Sequence, residues 1–278
     1  YPLPLSQDRM AILQRLNAAA KDKIFSLQES LVLAWNAIRF IFSRPFYRED
    51  MIQQMDAIGV QSLGIVVLTG FFTGMVLALQ SAVQMARFGA TTYVVSLVSA
   101  SMIRELGPVF AGLMVAGRVG SGIAAQLGSM RVTEQIDALN GMGTDPIKKL
   151  VTPRLLAALI MLPLLTVIND VAGMLGGSVI AKFYIKLPTS VYWGTVWDQI
   201  ASGGFLFRII PNDFVHGLFK PFVFGGVIAL TACHFGLRTT GGTEGVGIAT
   251  TRTVVTASIL ILVTDYFITQ VLLALLPT

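Results

Sequence analysis

The chain has 278 residues, of which 54% are hydrophobic and only 13% charged, with a formal net charge of +5 and a mean hydropathy of +0.72. Soluble domains carry about 25% charged residues, so an ordinary water-facing surface is excluded. The apolar runs exceed strand length and lack the ten-residue alternation of an outer-membrane barrel, which leaves an all-α integral membrane protein.

In such a chain a basic balance reads as cytoplasmic loops rather than a nucleic-acid surface. Residues 1–23 form a polar, mixed segment. Its start, YPLPLSQDRM, has no charged-then-apolar secretion pattern. It opens on Tyr rather than Met, so further residues are expected ahead of it. Over 24–48 apolar residues recur at helical spacing, interrupted by Glu29, Asn36 and Arg39. That stretch is too short and too charged for a comfortable span. It reads as an amphipathic helix lying in the membrane interface and anchored by Trp35, with a sixth span as the alternative.

Residues 49–278 read as a five-helix transmembrane domain. The first span is 59–83; no charge occurs between Asp56 and Arg87, a gap that crosses a hydrocarbon core of about 30 Å. The second runs over about 92–125, the third over about 153–181 with interruptions at Pro163 and Asp170, the fourth over about 214–237, and the fifth over about 253–276 with Asp265 inside. Five spans place the termini on opposite sides. Thirteen Lys and Arg residues fall on the N-terminal side and five on the other, with Arg104 and Arg118 inside the second span. The N-terminus is therefore expected in the cytoplasm.

The second span contains SMIRELGPVFAGLMVAGRVG, residues 101–120. A charged side chain at mid-bilayer costs roughly 2.5–3.5 kcal/mol on insertion scales. Arg104 and Glu105 point about 100° apart on a helix, so each needs its own partner. Pro108 lacks an N–H, so a kink or break is expected there. One face reads Arg104, Gly107, Ala111, Val115, Arg118 and Gly122, small and cationic. Two readings stand: the charges anchor the span near the outer headgroups, or they form a polar belt in a cavity with Lys220 and Asp265 as partners from the fourth and fifth spans.

The loop RVTEQIDALNGMGTDPIKKL predicts a short amphipathic helix through Glu134, Ile136, Asp137 and Leu139, ending at Gly141 or Gly143. Pinned between two spans, about 131–142 reads either as a plain connector or as a handle through which a soluble partner pushes. No Walker motif is present; GRVGSG at 117–122 lacks the Gly-Lys-Ser/Thr ending. GGTEGVG at 241–247 reads as a flexible cytoplasmic loop. His216 and His234 are too isolated for a metal site, and Cys233, the lone cysteine, reads as packing. Gly70 and Gly74 form a GxxxG pair, as do Gly173 and Gly177, each able to draw helices together.

The run from RELGPVFAGLMVAGRVGSGIAAQLGSMRVTEQIDALNGMGTDP through PRLLAALIMLPLLTVINDVAGMLGG, with the later DFVHGLFKPFVFG and GTEGVGIATTRTVV, resembles the MlaE-type permeases. These are the membrane subunits of Mla and Mce lipid-transport ABC systems. The resemblance covers roughly residues 30–276. It implies a homodimeric ABC permease of the bacterial inner membrane, one interfacial helix and five spans per copy. It further implies a cytoplasmic ATPase dimer that binds ATP and magnesium, a periplasmic ring of MCE-domain proteins, and a phospholipid substrate. No cofactor and no catalytic residue is expected in this chain. The resemblance places a coupling helix at Thr133, Glu134, Asp137, Leu139 and Met142. It places a lipid cavity at Leu77, Gln80, Ser81, Gln84 and Phe88 together with Arg104, Glu105 and Leu106; Lys220 joins them as a charge in apolar company. The rival readings are a proton-coupled carrier or channel titrating at Glu105 and Asp265, and a membrane scaffold for a soluble complex.

Overall fold

The computed structural model describes residues 21, 25, 28–41, 43, 47–202, 205–206 and 210–275. Among them are five helical stretches long and apolar enough to cross a membrane: Arg48–Ala86, Thr91–Val132, Ile147–Ile185, Gly217–Leu237 and Gly242–Leu275. The chain is an all-α, multi-pass membrane protein, with the spans in the order the hydropathy predicts.

Helix α1 covers 28–41. The first span is α2 (Arg48–Ile58) and α3 (Leu63–Ala86), joined by a short turn over Val60–Ser62. Polar α2 is tied down by a Lys149–Asp50 ion pair and by Lys149 over the Tyr47 ring at 4.3 Å. The second span strings together α4 (Val94–Ser101), α5 (Gly107–Val115) and α6 (Ser121–Val132). Five-residue π-turns, Met102–Leu106 and Ala116–Gly120, separate them. The expected kink at Pro108 is thus a widened turn, closed by the Gly107 N–H to the Met102 carbonyl.

Helix α7 spans Gln135–Gly141, α8 Thr152–Ile180, α9 Thr189–Ser202, α10 Asn212–Leu237 and α11 Gly242–Leu275. A two-residue hairpin pairs Phe205–Leu206 with Ile210–Pro211. Two expectations fail. Helix α8 runs without a break through Pro163 and Asp170, because α2, α3, α5 and α10 pack along one side of it, where Asp170 is buried, while Ile160, Leu164, Ile168 and Val171 stay exposed on the other. And 242–247 is not a loop: it is the start of α11, with Gly241 and Gly242 at φ of +86° and +69° turning the chain into it.

Helix α8 lies at the centre, packed by α2, α3, α5 and α10. Its seam with α3 is made of glycine. A Cβ on Gly74 would stand 1.9 Å from the Gly173 carbonyl oxygen, and one on Gly176 2.0 Å from that of Phe71. Gly74 thus meets Gly173, while Gly177, the other half of the second GxxxG pair, faces the Tyr192 hydroxyl and it is Gly176 that reaches α3; backbones meet where side chains would not fit. Val66, Leu162, Leu165, Phe224, Ile228 and Ile261 fill the main core. On α9, burial pushes the Tyr192 phenol up to about 12, and its hydroxyl donates to the Met174 carbonyl at 2.9 Å.

Candidate functional site

The first π-turn carries Arg104 and Glu105. Thr91 to Glu105 is fourteen residues, roughly 20 Å of helix at 1.5 Å per residue, so the pair is far from the end of its span. Opposite it, α10 presents Lys220, whose side chain is wholly buried. Its Nζ donates to Glu105 Oε2 at 2.5 Å and lies 3.0 Å from Asp265 Oδ1 on α11. Thr269, one turn beyond Asp265, donates to Glu105 Oε1 at 3.3 Å. Three spans are thus joined by two carboxylates around one ammonium. In a low-dielectric surrounding an ammonium persists only when paired this closely.

The same turn is braced from behind. Asn169 Nδ2 donates to the Gly107 carbonyl at 3.3 Å, and Asp170 is buried against Gly107, where a Cβ would meet its Oδ1. The second π-turn holds Arg118, which donates to the Ala57 carbonyl (3.2 Å), Ser62 Oγ (2.8 Å) and Gln61 Oε1 (3.1 Å). The predicted single cationic face is therefore not one face. Each π-turn widens the helix locally and changes its angular register. Arg118 turns to the first span, while Glu105 turns to the fourth and fifth.

The residues placed on α3 divide. Leu77 packs against the same buried cluster as Leu106, with Ala78, Ala82, Val98 and Met102, and Ser81 is buried beside it. Gln80, Gln84 and Phe88 are exposed on the single chain. Lys220, counted with the outer-side cations in the sequence, lies inside the bundle. Thr269 was missed because a threonine on an apolar helix carries no signal. No nucleophile and base converge here. The cluster can hold charge, accept a polar headgroup or change its pairing when helices move.

At the far end of α6, Thr133 caps the helix and Glu134 takes a left-handed φ of +58°, redirecting the chain into α7. Gly143 at φ +74° closes α7, with the Thr144 N–H on the Leu139 carbonyl and the Gly143 N–H on that of Asn140, both at 3.0 Å. This is the paired-bond ending that a glycine in the left-handed region allows. Ile136 is buried, Leu139 half-buried, and Thr133, Glu134, Asp137 and Met142 are exposed. Asp137 pairs with Arg131 at 2.6 Å, holding α7 to the last turn of α6.

The Permease MlaE family matches residues 51–271. A probable ABC transporter permease protein of Rickettsia conorii is 43% identical over 239 residues, 86% of this chain and 89% of its own length. The intermembrane phospholipid transport system permease protein MlaE of Haemophilus influenzae is 35% identical over 80% of this chain and 82% of its own. The chloroplastic protein TRIGALACTOSYLDIACYLGLYCEROL 1 of Arabidopsis thaliana is 32% identical over 86% and 66%. With the five spans in order and the match running from α2 to α11, the chain belongs to the MlaE family of ABC transporter permeases.

Proposed function

We propose that the chain moves phospholipid or a related amphiphile between the bacterial inner membrane and a periplasmic MCE-domain carrier. It acts as one half of a homodimer with its N-terminus in the cytoplasm. A separate ATPase dimer binds ATP and magnesium and supplies the energy. Phospholipid transport by the Haemophilus influenzae relative, as its name states, supports the substrate class. The observation that carries the reading is the Glu105–Lys220–Asp265 cluster, charge that packing alone does not require. Its Glu105 lies in the turn bearing Arg104, whose Leu106 shares a buried cluster with Leu77 of α3. A headgroup would meet Arg104 and Glu105, with Lys220 holding Glu105 in place. Leu77, Ser81 and Leu106 would lie against the chains, and Gln80, Gln84 and Phe88 would close the opening against a second copy.

The exposed face of α7 is where a moving partner would push. Thr133, Glu134, Asp137 and Met142 would meet the ATPase, and Leu139 would transmit the push to the bundle. The test is transfer of a fluorescent phospholipid by the permease reconstituted with its ATPase. Arg104→Ala and Glu105→Ala should each lower the rate by about tenfold or more, the worth of one charge-assisted contact, with ATPase co-purification intact. Met142→Asp should instead release the ATPase. Normal transfer by both cluster variants sinks the belt, and transfer that follows a proton gradient without ATP favours a proton-coupled carrier.

A further inference from the structure

A cavity of about 670 Å³ opens at the end of the bundle that carries α7, between the last turn of α10 and the first turns of α11. It is separate from the ionic cluster: Lys220 and His234, both on α10, are fourteen residues apart, roughly 21 Å of helix. Its lining interleaves charge and apolar groups: α10 gives Phe235 and Arg238, and one face of α11 gives Ile248, Ala249 and Arg252 side by side.

The charge is not fully used. Arg238 pairs with Glu29 of α1 at 3.0 Å. Arg252 makes no hydrogen bond or ion pair among the described residues. Gly245, in the first turn of the 34-residue α11, also lines the cavity. Its own N–H is taken up by the Gly241 carbonyl at 3.4 Å, so the start of α11 contributes only the positive end of its dipole. The one carboxylate in that first turn, Glu244, is not part of the lining. Arginines set beside apolar side chains describe a receptor for an anion attached to hydrocarbon.

We propose that this cavity binds a phosphate ester, with the exposed Arg252 as its principal cationic ligand and the exposed Thr240 hydroxyl as a hydrogen-bond donor. The neighbouring Phe235, Ile248 and Ala249 assign the ester to the headgroup of an anionic lipid in the adjoining leaflet; a free phosphate would use Arg252 without them. The site is independent of the transport reading, since none of its residues belongs to the proposed lipid cavity.

The experiment uses the intact chain in detergent, with native mass spectrometry to count retained phosphatidic acid against diacylglycerol of the same acyl chains. Phosphatidic acid should be retained in preference. Arg252→Gln should weaken that retention about tenfold, the loss expected for one charged hydrogen-bond partner, and Ile248→Trp, which fills the apolar side, should weaken it as well. Arg48→Gln makes the same charge change on exposed α2 and should leave retention unchanged; thermal midpoints of all variants report folding. Displacement by an equal concentration of inorganic phosphate, still dependent on Arg252, would keep the phosphate site but assign it to free phosphate. Equal retention of diacylglycerol, no effect of Arg252→Gln, or an equal effect of Arg48→Gln overturns the proposal.

Discussion

Lys220 is the residue on which the bundle's polar interior turns. It is fully buried and serves Glu105 and Asp265 at once. Replacing it by methionine leaves two carboxylates facing each other without a cation. Removing one partner of a fully buried pair costs about 3–5 kcal/mol; Glu105 is 41% exposed and Asp265 18%, so the loss is smaller here, but Lys220→Met should still lower the thermal midpoint in detergent. Neutralising the whole group, Lys220→Met with Glu105→Gln and Asp265→Asn, removes the unpaired charge and should recover most of that loss. A triple variant no better than the single one would mean that the ion pairs themselves, not the penalty of stranded charge, hold the spans. Lys220, Glu105 and Asp265 were legible in the sequence because each is a charge in an apolar run. Their mutual distances were not, and neither was Thr269, since nothing local marks which threonine faces a carboxylate.

At the scale of elements, the glycines divide into those that the packing demands and those that it does not. Gly74 and Gly64 both lie in α3. A Cβ on Gly74 would collide with the Gly173 backbone, whereas one on Gly64 would meet nothing within 4 Å. Gly74→Ala should therefore push α3 from α8 and lower both the midpoint and the yield of folded protein. Gly64→Ala should be neutral or gain up to about 1 kcal/mol from helix propensity. Equal behaviour of the two variants would refute the backbone seam. The same distinction explains one failure of sequence reading. Four glycines in GGTEGVG signalled a loop, yet Gly241 and Gly242 are needed for positive φ at the helix start, and a Cβ on Gly245 would stand 1.8 Å from the Thr240 carbonyl oxygen. Helix and strand periods carry no sign of such demands. Nor do they foretell the π-turns, which set where Glu105 and Arg118 point, or α9, whose TSVYWGTVWDQIAS mixes polar and apolar residues at the bundle's edge.

At the scale of the whole molecule, the five spans and their order were legible because each needs about twenty apolar residues, and that signal is local. What the single chain leaves uncovered was not. On α3 the buried stripe is Gly70, Gly74, Ala78 and Ala82, and the outward stripe is Leu68, Phe72, Val76, Leu79 and Val83. Between them runs a third flank with Thr69, Thr73, Gln80 and Gln84. Hydrocarbon does not satisfy amide side chains, so this flank should face water, headgroups or a second copy rather than acyl chains. Cys233 is the lone cysteine and is buried, which leaves the background quiet for single-cysteine labelling. In nanodiscs, Gln80→Cys should react with a water-soluble maleimide while Leu79→Cys, one residue away and thus at nearly the same depth, stays silent. Thr73→Cys, almost two turns deeper than Gln80, should label more slowly but still above Leu79→Cys. That gradient is expected only when water reaches down one side of α3. If Gln80→Cys and Leu79→Cys are equally silent, the flank is sealed by lipid, no opening lies beside it, and the headgroup path from α3 to Arg104 and Glu105 is lost.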